Sequence, residues 1–133
     1  MAFSFVNQAE QIMLEHMVGK TTLTLQNVVL RLFKSNTTPA EADTESTYTE
    51  ADFTGYAAIT LTGASWTYSH PTISYAEQTF TSSANGQSQT IYGYYLTWAT
   101  SGKLLIAERF AGTAPVIQNN GDTVKATPTA DMT

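Results

Sequence analysis

His16 and His70 are the only imidazoles in the chain, and cysteine is absent. A zinc centre needs three or four N, S or O ligands at close spacing, and neither histidine has a second ligand at metal spacing near it. Without a thiol there is no cysteine nucleophile and no disulfide framework. No serine sits in a Gly-x-Ser-x-Gly turn of the kind that exposes a hydrolase nucleophile. Gly19-Lys20-Thr21-Thr22 ends like a phosphate-binding loop, but the position of its upstream glycine is Leu14. The segment also leaves a helix for a strand, the reverse of the required order. It reads as a helix stop.

Carboxylates are the remaining route to chemistry, because two suffice for glycoside hydrolysis. Glu77 and Glu108 are the acids flanked by strand-like sequence. Alternation puts Leu104, Ile106, Glu108 and Phe110 on one face and Leu105, Ala107 and Arg109 on the other. Glu108 then shares an apolar face and needs a partner if buried, which favours a structural ion pair or hydrogen bond. Glu41, Asp43, Glu45, Glu50 and Asp52 crowd one stretch without a base. They lack the glycine and the bidentate glutamate of a calcium-binding EF-hand loop, so the stretch reads as a solvated connection entered through Pro39. No catalytic, cofactor or metal residue is assigned. Trp66 and Trp98 leave one recognition chemistry open, the stacking of sugar rings on exposed aromatics.

These residues must be held by elements, and the composition bounds what those are. The chain has 133 residues, 42% hydrophobic and 13% charged, which predicts a single domain large enough to fold without metal or disulfide. Its charged fraction is about half the usual ~25%, yet no run of about 20 apolar residues exists to span a membrane. Threonine fills 23 positions, and abundant aromatic and β-branched residues argue against disorder. The net charge is −5; the acidic stretch carries that imbalance, and the six bases are scattered. Nucleic acid, which requires clustered Lys and Arg, is excluded as a partner. Between Phe53 and Gly102 the only charged residue is Glu77, and ten aromatics lie there, the composition of an interface centre. The first twenty residues carry Glu10 and Glu15 and no basic start, so they do not read as a secretion signal.

The pattern along the chain predicts an all-β single domain, a jelly-roll-like β-sandwich with a short N-terminal helix and arm. Residues 1–20 form the arm and helix and residues 21–133 the sandwich. Asn7 is the expected helix cap, with Glu10 reaching back to it, and Gly19 the stop. Ile12, Met13, Met17 and Val18 share a face, and Phe3, Phe5 and Val6 form an apolar arm before it. Strands are expected from Leu23 and Leu25 through Leu32, then over 56–62, 65–68, 79–81, 90–98, 104–110, 116–118 and 123–127. Asn85-Gly86, Ser101-Gly102 and Asn120-Gly121 supply reversals. Tyr92 and Tyr94 fall on one face of their strand and Tyr95 on the other.

Three segments carry a resemblance: residues 30–61, 90–111 and 117–128. Their signals are Phe53-Thr54-Gly55-Tyr56, Tyr92-Gly93-Tyr94-Tyr95 and Ala107-Glu108-Arg109-Phe110. Over roughly Leu25 to Pro128 the chain resembles a family of small virion proteins of tailed bacteriophages. The resemblance implies a non-enzymatic capsid decoration or cement protein, without cofactor, that stabilises the major capsid protein shell. It implies a homotrimer on the capsid surface, assembled in the host cytoplasm. The residues expected at the interface are Phe3, Phe5, Val6, Ile12, Met13 and Met17, with the arm dispensable for the fold. The alternative is a tail or fibre module that binds host-surface carbohydrate.

Overall fold

The computed structural model describes residues 5–22 and 26–131. Phe3, Leu23 and Leu25 lie outside them. The expected helix is present as α1 (Asn7–Met17). Its cap is not Asn7. Val6 occupies the cap position, and its carbonyl accepts from the amides of Ala9 and Glu10 at 2.8 and 3.1 Å. Asn7 is the first helical residue, and its amide donates to the Glu41 carbonyl at 2.9 Å. At the other end Gly19 adopts φ +70°, and the amides of Gly19 and Lys20 return to the carbonyls of His16 and Glu15. That pair of bonds closes the last turn as a Schellman motif.

One layer is a four-stranded antiparallel sheet in the order β2 (Ile59–Leu61), β1 (Val28–Phe33), β7 (Gly93–Trp98), β8 (Leu104–Arg109). The Ser101-Gly102 reversal joins its last two strands, with φ +68° at Gly102. The opposite layer contains β3 (Thr67–Ser69), β4 (Thr72–Ser74), β5 (Gln78–Thr81), β6 (Gln89–Thr90), β9 (Val116–Ile117), β10 (Thr123–Ala126) and β11 (Thr129–Asp131). Its pairs β4–β11, β5–β10 and β6–β9 are all antiparallel. Together they make one long ribbon, residues 72–91 against 116–131. The register slips by one residue where 75–77 face 127–128, and by two where 82–88 face 118–122. Such extra residues bend a ribbon and tighten its twist, which lets it follow the sheet beneath. Asn85-Gly86 and Asn120-Gly121 sit in the second slip, where the Asn120 amide donates to the Asn85 side chain.

Between the layers Leu30, Leu32, Leu61, Tyr94, Leu96 and Ile106 meet Phe80, Ile91, Ile117, Val124, Ala126 and Ala130, all buried. A second cluster, Val6, Ala9, Phe33, Tyr48, Tyr95 and Leu104, lies on the outer face of the four-stranded sheet under α1. Strict alternation places Leu104 on the face of Ile106, but it lies on the other. Thr97 pairs with Leu104 while the adjacent Leu96 pairs with Ile106, so Leu105 is a bulged residue. The extra residue reverses the alternation for Leu104 alone. Tyr94 and Tyr95 divide between the two clusters as alternation requires. Tyr92 precedes the strand and instead lies on the outer side, beneath the Arg109 guanidinium at 4.9 Å.

Candidate functional site

The residues with catalytic potential are dispersed. His16 is exposed on α1 and His70 is exposed in the turn between β3 and β4, where its Nδ1 lies 3.2 Å from the Tyr68 hydroxyl. Glu77 pairs with Lys125 at 3.1 Å. Glu108 is half-buried beside Tyr94, and burial holds its carboxyl above the ordinary range against the opposing pull of the Tyr94 hydroxyl. Among the described residues no three His, Asp or Glu side chains are placed to share a metal ion.

The acidic stretch is not a solvated connection. Glu50 accepts from Arg31 Nη1 through both carboxylate oxygens, at 2.9 and 2.8 Å, and from the Tyr56 hydroxyl at 2.8 Å. Asp52 pairs with Lys34 at 2.6 Å and accepts from Gln89, which together hold its carboxyl below the ordinary range. Asp43 accepts from the buried Tyr48 at 2.6 Å. Tyr48 stacks on Tyr95 with ring centroids 5.3 Å apart. Backbone bonds from Lys34 to Thr49 and from Ala51 to Leu32 fix the segment along the edge of β1 that β2 leaves free. Three of the five acids therefore have partners, Asp52 at an exposed position, while Glu41 and Glu45 are exposed and make no ion pair among the described residues. The sequence hid this because the bases that neutralise the stretch lie on the strand before it.

The expected interface residues separate in the same way. Val6 is only 3% exposed and donates its amide to the Leu105 carbonyl at 3.2 Å, so it belongs to this chain's own core. The arm is not dispensable at that residue: an apolar side chain that seals a core cluster costs stability when removed. Phe5 is partly buried against both clusters, and Ile12 and Met13 are half-buried. Met17 and Val18 share no such burial, at 79% and 77% exposed, because α1 leaves the sheet before its last turn. Leu14, not singled out from the sequence, is 61% exposed beside them.

A concavity of apolar character opens at one end of the sandwich, with a volume of about 290 Å³. Val28, Leu96 and Ile106 form its floor, Ile73 and Ala130 the facing wall, and Phe5 and Trp66 the rim. It exists because the facing layer offers the small Ala130 here, whereas Phe80, Ile91 and Val124 fill the rest of the core. Trp66 follows the short turn Gly63–Ser65 and packs edge-on to Tyr75 at 5.2 Å. Outside the rim Tyr68 is 68% exposed, directly opposite Ile73 in the β3–β4 pairing. A second hollow, of about 560 Å³ and lined by Gln26, Asn27, Gly63 and Ala64, adjoins it through Gly63. Among the described residues, all that line the groove itself are apolar or glycine. Such a surface takes up an aliphatic or aromatic group.

No helix among the described residues is long and apolar enough to cross a membrane. No family model matches the chain, and no curated protein or solved structure matches it significantly.

Proposed function

We propose that the chain is a non-enzymatic structural protein of a tailed-phage particle. In this reading it is a capsid decoration or cement protein that binds the major capsid protein shell as a homotrimer. One observation carries the reading: an open apolar groove flanked by exposed Tyr68 and Ile73, in a region whose only charge between Phe53 and Gly102 is Glu77. Contiguous apolar surface flanked in this way suits a protein contact. The three sequence segments that resemble small virion proteins supply the class of particle. A β-sandwich that folds without disulfides suits assembly in a cytoplasm, and many copies add modest contacts into firm attachment.

The test is co-sedimentation of the purified protein with capsids lacking it, scored as copies bound per particle. Saturable binding at many copies supports the assignment, and its absence overturns it. The carbohydrate reading has one observation in its favour, the partly exposed Trp66 that lines the groove and packs edge-on to Tyr75. A glycan array decides it: binding that Trp66→Ala abolishes without unfolding the protein would replace the capsid reading.

A further inference from the structure

Two of the chain's six asparagines, Asn85 and Asn120, precede glycine. An asparagine so placed can cyclise. The glycine amide nitrogen attacks the side-chain Cγ, an N–Cγ bond forms, the Cγ–Nδ2 bond breaks and ammonia leaves. Water then opens the succinimide at one carbonyl or the other, giving aspartate or its isomer isoaspartate. Glycine favours the closure because it has no β-carbon in the way and a permissive backbone. Both asparagines are exposed, in the slip where 82–88 face 118–122. By sequence the two are equivalent; in the fold they are not.

At Asn120 the nucleophile is engaged. The Gly121 amide donates to the Ser82 carbonyl at 2.9 Å, and ring closure must break that bond. At Asn85 it is free. The flanking amides are held, Ala84 by Ser82 Oγ at 3.4 Å and Gln87 by the Gln118 carbonyl at 3.0 Å, while the Gly86 amide has no acceptor among the described residues. Gly86 also stands in the open, with φ +74° and nothing within 4 Å of an added β-carbon. The electrophile is prepared as well. Asn85 Oδ1 accepts from the Asn120 amide at 2.9 Å. That oxygen takes up negative charge as Cγ becomes tetrahedral, and a fixed N–H donor at this distance stabilises it. We propose that Asn85 is a site of self-modification, converted through a succinimide with water as the co-reactant, and that Asn120 is protected by its own turn. The two products act differently on the ribbon. Aspartate keeps an oxygen for the Asn120 amide and makes that bond charge-assisted. Isoaspartate routes the backbone through the former side-chain carbon, so the tie from residue 85 to residue 120 is lost. The inference is independent of what the protein binds.

The test holds the purified full chain in warm, mildly alkaline buffer and follows the peptides containing residues 85 and 120 by mass, for the one-unit gain that replaces NH2 by OH. Residue 85 should convert about tenfold faster than residue 120, the difference that one hydrogen bond on the nucleophile sustains. In urea that unfolds the chain, both should convert at similar rates. Fragmentation that distinguishes the isomers should find aspartate and isoaspartate at residue 85. Asn85→Gln, whose closure needs a larger ring, should hold the mass of the folded protein constant over the same period. Equal conversion of the two sites in the folded protein, or faster conversion at Asn120, would overturn the proposal. So would a preference for Asn85 that persists in urea, or a folded protein that stays unmodified while the unfolded one reacts at both sites.

Discussion

A β-carbon added to Gly93 would overlap the Glu108 carbonyl oxygen and stand 2.6 Å from the Phe33 ring. Neither neighbour can yield, the first being backbone and the second a fully buried side chain. Gly93→Ala is expected to cost about 1–3 kcal/mol, as overpacking of a core does, read as a lower urea midpoint with an unchanged slope. Gly55 is comparable: its φ is +96° and an added β-carbon would meet the Thr81 carbonyl at 2.8 Å. Both glycines lie in the motifs Phe53-Thr54-Gly55-Tyr56 and Tyr92-Gly93-Tyr94-Tyr95, so those motifs report how the backbone must pass. Glu108 makes the complementary prediction. Burial raises its folded pKa, so the folded state holds the proton more tightly than the unfolded one. Its contribution is most favourable below about pH 4.3 and is lost as pH climbs through the raised folded value. Glu108→Gln should therefore melt higher than wild type at neutral pH, and the difference should vanish in acid. A constant difference across a pH series of thermal melts would refute this.

At the scale of elements, strands with strong alternation and glycine turns were legible: β1, β7, β8 and β10 fall where the pattern puts them. Those that arise only from pairing were not. Thr72-Ile73-Ser74 and Thr129-Ala130-Asp131 are short and mixed in character, and they are strands because they hydrogen-bond to each other. The bulge at Leu105 was equally hidden, since a two-residue period cannot announce the residue that interrupts it. The site was legible in part. The charge-poor, aromatic stretch located the region, but the groove depends on Phe5 and Ala130, which only the fold brings near Trp66. The acidic stretch reads as a loose loop for the same reason, its partners Arg31 and Lys34 being set on and just after β1. Glu50→Gln tests that pinning. It leaves Arg31 without its counter-charge at a half-exposed position and should cost about 1–3 kcal/mol. Limited proteolysis should then cut first between residues 36 and 50; an unaltered digestion pattern would contradict it.

Over the whole molecule, charge and apolar surface are segregated. Lys34, Asp52, Arg31 and Glu50 tie one region together by ion pairs, while among the described residues the groove and the β3–β4 face carry none. Interactions between exposed charges fade with ionic strength, whereas apolar contacts do not. On the capsid role proposed above, attachment is expected to change less than about twofold between low and moderately high salt, measured by sedimentation. A steep loss of binding with salt would move the contact to Glu41 and Glu45, the exposed acids.

The long ribbon has a further consequence, in time rather than in space. Within the ribbon residues 72–91 pair with 116–131, and the groove is lined by both Phe5 and Ala130. Contacts so distant along the chain form slowly. On the ribosome they cannot form until residue 130 has emerged. A partly synthesised copy would hold its early residues but no groove, so whatever the groove receives would wait for the finished chain.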